Sequence, residues 1–254
     1  MSLIRPQIGV IAAAAFAALL APLPARADLT LVQTTTIINP QITAALQSMT
    51  PQQRAQVQRS GNPFFHSGPQ TTTLYVQGKK SRLDYGAYTV IADPGTGRIV
   101  TLNRKTHTYS TRPYSAGSGG GIAGATPRDT HQTRRILGHV AHRYIVQTAN
   151  VAGAGSQLKA DVWAAPDLPR PALLDGAGGG QSPAQALLRQ VKGLPLQTTV
   201  VVAGSPLGTI TLKSLAKSVS IAPVAASVFA LPPGFKAGNT GSPMGPGFGG
   251  GLGQ

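Results

Sequence analysis

The chain has 254 residues, no cysteine and a formal net charge of +15, because 22 lysines and arginines face only seven acidic residues. The lack of cysteine excludes disulfides and an acyl-anchored lipoprotein, whose anchor is attached through a cysteine. The positive surplus favours anionic partners such as lipid head groups, acidic polysaccharide or nucleic acid. The basic residues form no dense run and have no interleaved aromatic residues, so nucleic-acid binding is not expected.

The first 27 residues have the order of parts of a Sec-type signal peptide. Arg5 precedes an apolar run over residues 9–23, and small residues flank a cut after Ala27, before Asp28. A membrane anchor is the alternative, but the run of about 15 residues is shorter than the roughly 20 that span a bilayer. Cleavage would leave a charge of +13 and a periplasmic or extracellular protein with no transmembrane segment.

The N-terminal part predicts one strand and two short helices. Residues 29–38 are rich in threonine, valine and isoleucine, which is typical of a strand. Asn39-Pro40 and Thr50-Pro51 each combine a capping residue with proline at the first helical position. The first helix carries apolar residues at helical spacing, namely Ile42, Ala45, Leu46 and Met49.

From residue 71 the apolar residues recur with the period of strands. Residues 71–84 alternate Leu74 and Val76 with Tyr75 and Gln77, so one strand with a buried face is expected. Two further strands, 88–92 and 98–103, flank a turn rich in proline and glycine at residues 93–97. A strand over residues 107–111 completes an antiparallel meander.

The second half is divided by glycine-rich segments at 115–129 and 175–181, predicted to be mobile loops. Strands are expected at 134–147 and 157–164, the latter with Leu158, Ala160 and Val162 inward. A helix starting at Ser182-Pro183 would present Leu187, Leu188 and Val191 and stop at Gly193. A hairpin of strands 196–203 and 209–221 follows, and residues 223–235 close the fold.

These elements predict a mainly β (α+β) domain over residues 28–236. It would be a curved antiparallel sheet or half-barrel covered by one to three short helices, with the helices of Ile42 and Leu187 as candidate covers. Residues 237–254 contain eight glycines and no charge, so a disordered tail is expected.

No constellation of catalytic or metal-binding residues is found in the sequence. His139 and His142 are three apart in a strand and point to opposite faces, so they cannot chelate one ion without a bulge. No Gly-x-Ser-x-Gly elbow or phosphate-binding loop is present. Neither catalysis, a cofactor nor a metal is expected. Trp163, Tyr109 and Phe229 are expected in the core or a cavity lining.

Four segments together carry a family resemblance: residues 75–84, 90–109, 136–144, and Trp163 with the ending 228–235. In this order they resemble a family of exported bacterial proteins with a domain of unknown function, similar to the lipoprotein-carrier (LolA/LolB-like) half-barrel. The resemblance covers residues 29–235 and implies an incomplete barrel whose concave apolar face holds acyl chains. Where the family carries cysteine, this chain has Ala92 and Ala141, so no functional residue is carried over.

The sequence therefore predicts a non-enzymatic, monomeric carrier or binding protein for a hydrophobic, lipid-like ligand, with a basic rim suited to anionic head groups. The alternative is an envelope protein-protein interaction or sensor module with a fully packed core and no small-molecule ligand. An enzyme would need two titratable side chains converging in a pocket. The candidate ligand-lining residues are Leu74, Val76, Val100, Leu102, Leu158, Val162, Val200 and Val202.

Overall fold

The structure is a computed structural model that describes residues 28–59, 68–114, 126–151, 156–175, 188–205 and 208–240. Its strands are β1 (Leu29–Ile38), β2 (Gln70–Gln77), β3 (Lys80–Tyr85), β4 (Tyr88–Asp93), β5 (Arg98–Asn103), β6 (Thr108–Pro113), β7 (Arg128–Ile136), β8 (His139–Val151), β9 (Ser156–Ala165), β10 (Leu194–Ser205), β11 (Gly208–Ser220) and β12 (Lys236–Ala237). The helices with described bounds are α1 (Pro40–Ser48), α2 (Pro51–Arg59) and α3 (Ala172–Asp175), with a 3-10 turn at Ala226–Phe229; residues 188–190 are also helical.

The described strands form one sheet in the order β12-β6-β5-β4-β3-β2-β1-β11-β10-β9-β8-β7. Two antiparallel meanders, β1 to β6 and β7 to β11, are joined because the last long strand returns to pair with the first. Only the short β12 is parallel to its neighbour. The predicted mainly β class, with one antiparallel sheet and few short helices, is confirmed. The predicted signal peptide lies outside the described residues.

Both predicted helix starts are confirmed by their caps. The Asn39 side chain accepts a hydrogen bond from the Ile42 backbone N–H at 3.0 Å, which satisfies one of the free donors at the helix end. Thr50 and Gln53 exchange side-chain to backbone bonds in a capping box. However, α1 buries none of its side chains. It is therefore not the cover for the sheet that the sequence predicted.

Two predicted strands are each divided by a tight turn. The segment 71–84 is two strands with Gly78 between them, and the segment 134–147 is two strands separated by Leu137 and Gly138. φ is positive at Gly78 (+57°) in the first turn and at both residues of the second, Leu137 (+51°) and Gly138 (+87°). Consecutive positive φ values match the right-handed twist of the flanking strands, so the chain reverses within two residues.

The sheet has two chemically different faces, because paired residues on neighbouring strands point to the same side. Face A carries Leu31, Leu74 and Val162, and face B carries Tyr75 and Trp163. On β9 the predicted alternation is confirmed: Leu158, Ala160, Val162 and Ala164 are buried, whereas the residues between them are exposed or half-buried. Most of the core therefore lies on face A.

Face A is covered by the connection between β9 and β10, here called the cover segment and described over residues 166–175 and 188–193. It contributes a buried side chain to each of three apolar clusters. Val191 packs with Val162 and its neighbours, Leu168 packs with Leu31, and Ala172 packs with Ile99. The predicted role of Leu188 and Val191 as cover residues is confirmed, whereas Leu187 lies outside the described residues.

Face B of β3 is covered by the C-terminal segment 221–235. The Asp28 carboxylate accepts a bond from the Val224 backbone N–H at 2.9 Å, and the Arg82 guanidinium donates to the Val228 carbonyl at 2.6 Å. The chain then forms β12 and reaches Thr240, whose hydroxyl lies 3.0 Å from that of Ser110. The described fold thus continues four residues past the predicted domain boundary at 236.

Candidate functional site

The predicted lining residues fall on both faces of the sheet. Six of them share face A: Leu74, Val76, Leu158, Val162, Val200 and Val202. Val100 pairs with Ile91 and Leu102 with Thr89, a register that points both side chains to face B. The register therefore places Val100 and Leu102 on the opposite face of the sheet from the other six. The role of the six residues as a ligand lining remains a prediction.

The apolar floor on face A is only partly closed. Around the cluster of Val162, the side chains of Leu188, Val202 and Leu212 are half-buried while contacting fully buried neighbours. Around the cluster of Ile99, Val90 and Leu173 have the same intermediate exposure. Further burial of such half-buried apolar side chains lowers the free energy by about 25 cal/mol per Å² of surface removed from water. The floor is thus chemically suited to an apolar ligand.

Hydrogen bonds from two arginines connect the two described parts of the cover segment. Arg170 donates to the carbonyl oxygens of Val191 at 2.5 Å, Arg189 at 2.7 Å and Leu188 at 3.3 Å. Arg189 in turn donates through Nε to the carbonyl of Leu174 at 3.0 Å. A planar guanidinium can donate to several carbonyl oxygens at once because its five N–H donors are fixed in one fork. The two ends of the segment are therefore held together as one unit.

Polar contacts between described residues tie this unit to the sheet. The Leu173 backbone N–H donates to the Ser81 hydroxyl at 3.0 Å, and Asp167 lies 2.7 Å from His139 Nδ1. At the base of the segment, a Cβ on Gly193 would lie 2.5 Å from the Ala165 carbonyl oxygen. The unit is held closely where it leaves the sheet, and its side chains Leu168, Ala172 and Val191 pack into the apolar clusters of face A.

A polar and aromatic group adjoins the apolar floor on face A. The rings of Tyr85 and Tyr88 are stacked with centroids 5.9 Å apart, and Arg112 interacts electrostatically with Tyr85. Burial raises the pKa of Tyr85, and Tyr88 raises it further while Arg112 opposes the shift. Burial also lowers the pKa of Arg112. A partly desolvated guanidinium beside two phenols is a suitable receptor for an anionic group.

This group was not found from the sequence, because the predicted strand ended at Thr111. In the structure β6 continues to Pro113, and the pairing of Arg112 with Ile99 places it on face A. Extending the period of two by one residue would have assigned Arg112 to the face of Thr108 and Ser110. The sequence signal was present but lay beyond the predicted boundary.

Trp163 lies on face B between two arginines, not in the core as its size suggested. The guanidinium of Arg134 is 4.0 Å from the ring centroid and that of Arg143 is 5.8 Å away. Arg143 also donates three hydrogen bonds to the Asp161 carboxylate, at 2.6, 3.1 and 3.2 Å. The bond to Asp161 raises the pKa of Arg143. Tyr109 and Phe229 are likewise half-buried.

The remaining titratable groups form no reactive cluster in the part of the chain that the structure describes. No three His or Asp side chains there are close enough to hold a metal ion. His142 pairs with Ala164 on face A, and His139 is bonded to Asp167. Within the same residues, no helix has the length and hydropathy needed to cross a bilayer. The described side chains offer apolar and cationic binding surfaces.

Comparisons with known proteins give distant structural neighbours only. No protein-family model and no curated protein matches the chain. Two crystal forms of PNGF-II are similar at 12% and 14% identity with a TM-score of 0.41, and they cover 83% and 84% of this chain. The chain spans about a third of the length of PNGF-II, 30% and 31% in the two forms.

Two further neighbours are similar in length to this chain. A LolA superfamily protein from Nitrosomonas europaea matches at 8% identity and a TM-score of 0.31, with 81% of this chain and 90% of that chain covered. A domain described as a putative outer membrane lipoprotein-sorting protein, from Vibrio parahaemolyticus, matches at 12% identity and a TM-score of 0.29, with 80% and 89% covered. LolA superfamily proteins, expected from the sequence, are thus among the structural neighbours.

Proposed function

We propose that the protein is a non-enzymatic carrier or binding protein for a hydrophobic, lipid-like ligand, acting in the periplasm or outside the cell. The observation that carries the proposal is the apolar floor of face A beneath a cover segment that is cross-linked to itself. Such a cover can move as one unit, because Arg170 holds its two ends together. A bound acyl chain would take the place of cover side chains on the floor. The half-barrel shape expected from the sequence belongs to the same proposal.

Arg112 indicates which charge the polar group of the proposed ligand carries. It lies on the same face as the apolar floor, and burial has already removed part of its hydration. All seven acidic residues of the chain are aspartates, and none forms an ion pair with Arg112 among the described residues. An anionic head group would supply that charge, while Tyr85 and Tyr88 would offer hydroxyl groups to it. The proposed ligand is therefore an anionic lipid.

The test is native mass spectrometry of the protein purified from its own cell envelope without detergent, followed by organic extraction. A lipid retained at one molecule per chain would support the proposal and identify the ligand. An empty protein that also fails to take up a fluorescent fatty acid would contradict it.

Neighbouring residues on β10 provide a matched pair of variants. Val202 points to face A beside the apolar floor, whereas Val201 points to face B and pairs with Lys159. V202Q should weaken fatty-acid uptake about ten-fold, because burying an amide against an acyl chain costs roughly 1 to 3 kcal/mol. V201Q carries the same amide on the same strand and should leave uptake unchanged. Equal effects of the two variants would contradict a ligand on face A.

One observation favours the alternative of an interaction or sensor module. Val191, Leu168 and Ala172 of the cover are fully buried and already complete the three clusters. If the cover stays in place, the core needs no ligand. A chain that purifies empty, takes up no fatty acid and retains a protein partner would establish that alternative.

A further inference from the structure

Face B of the second meander carries an exposed cationic surface that the carrier proposal does not use. We define it as the basic patch, formed by Arg128, Arg134, Arg143, Lys159 and Lys213. We propose that the basic patch docks the protein onto the surface of an anionic phospholipid bilayer. The patch lies on the opposite side of the sheet from the cover segment, so this inference does not rest on the proposed ligand.

The strand register brings the patch together. Lys213 pairs with Thr199, and Thr199 pairs with Asp161, so these three residues lie in one row across β11, β10 and β9. Lys159 lies on the same face of β9, two residues from Asp161. Strands two apart in a sheet are separated by about 10 Å. The two lysines therefore project from one surface at a spacing that allows each to meet a separate head group.

The patch has little internal charge compensation. The strands β8 to β11 contain one acidic residue, Asp161, and its carboxylate is bonded to Arg143. Among the described residues, no carboxylate lies within ion-pair distance of Lys159, Lys213 or Arg134. Both lysines are exposed. The surface therefore keeps a net positive charge and attracts an anionic surface over about a Debye length.

Apolar side chains between the cations favour a lipid surface as the partner. Leu215 is 41% exposed and lies in one row with Gln197 and Trp163, while Ile38 is also 41% exposed on face B. Indole rings and aliphatic side chains enter the head-group region, and long basic side chains extend along it to the phosphates. Nucleic acid would need a series of open stacking rings. Here Arg134 stacks on the one tryptophan of the chain.

The single tryptophan makes the test direct, because its fluorescence reports on the patch alone. The protein, as purified from the cells that produce it, is titrated with two kinds of vesicle. One contains phosphatidylcholine alone, and the other contains phosphatidylcholine with about 30% phosphatidylglycerol. Binding and a blue shift of Trp163 are expected only with the anionic vesicles, and high salt should abolish both. Vesicle lipids brominated near the head groups should quench the emission.

A pair of charge-matched variants localises the effect. K159Q/K213Q removes two patch cations, and K79Q/K105Q removes two exposed cations from turns of the other meander. The patch variant should bind anionic vesicles about 30-fold more weakly, because each surface cation contributes roughly a five-fold gain. The control variant should stay within about two-fold of the unmodified chain.

Several results would overturn the proposal: equal weakening by both double variants, equal binding to neutral vesicles, binding without a change at Trp163, or no binding. Tighter binding to a single-stranded oligonucleotide than to anionic vesicles would also overturn it, since the partner would then be nucleic acid. The lipid extracted from the purified chain is a separate readout. Failure of one proposal therefore leaves the other measurable.

Discussion

Replacing Arg170 with alanine should loosen the cover segment without unfolding the sheet. Arg170 makes two short bonds to the carbonyls of Val191 and Arg189, at 2.5 and 2.7 Å. Hydrogen bonds from charged donors contribute about 1.5 to 3 kcal/mol each, but water reaches these partly buried carbonyls and restores roughly half of that. The expected loss from the two bonds is therefore about 1.5 to 3 kcal/mol in the free energy of opening the cover.

Native-state hydrogen exchange measures this loss residue by residue. The amides of Leu174 and Val191, which bond within the cover, should exchange about 10- to 150-fold faster in R170A, corresponding to those 1.5 to 3 kcal/mol. The amides in the middle of β9 should keep their rates. R170K keeps the charge but not the planar fork, so about half of the effect should remain. Equal acceleration in the cover and in β9 would refute the argument, because the cover would then open only with the whole fold.

Three further predictions concern stability, each measured as the free energy of unfolding in urea. V162A removes two methyl groups from a fully buried side chain and should cost about 2 kcal/mol, whereas V201A on face B should cost under about 1 kcal/mol. G193A should cost about 2 kcal/mol or more, because φ is +97° and the new Cβ would meet Ala165; G86A, with open space around it, should cost about 1 kcal/mol. Because burial raises the pKa of Tyr85, the unfolded chain loses this proton first, so stability should fall above about pH 10 by up to roughly 1.4 kcal/mol per pH unit. Y85F should reduce this alkaline slope, and an unchanged slope would contradict the burial of the phenol.

The hairpins that the sequence predicted correctly are those with several turn residues together. The segment 93–97 combines proline with two glycines, and the chain reverses there as expected. The turns at Gly78 and at Leu137-Gly138 offered one glycine each within continuous strand-like alternation. A lone glycine in a strand pattern is also compatible with a bulge, so local sequence could not decide between the two. The pairing of whole strands decided it.

The sequence could predict the face to which each side chain points only where one face of the strand is exposed to solvent. On β9 the alternation was clear, and it placed Trp163 outward although the size of its ring suggested the core. On β5 both Ile99 on face A and Leu102 on face B are buried. A strand buried on both faces has no period of two, so the sequence could not assign Val100 and Leu102 to a side.

The topology explains how one sheet can present, on separate faces, the two surfaces that we propose for a ligand and for a membrane. The C-terminal segment crosses face B over the first meander, fixed there by Arg82 and Asp28. The cover segment crosses face A, fixed through Arg170 and Ser81. On face B of the second meander the basic patch stays exposed, because no segment among the described residues crosses it. A carrier needs this separation, since a cover that must open over its ligand cannot also be the surface that holds the protein on a membrane.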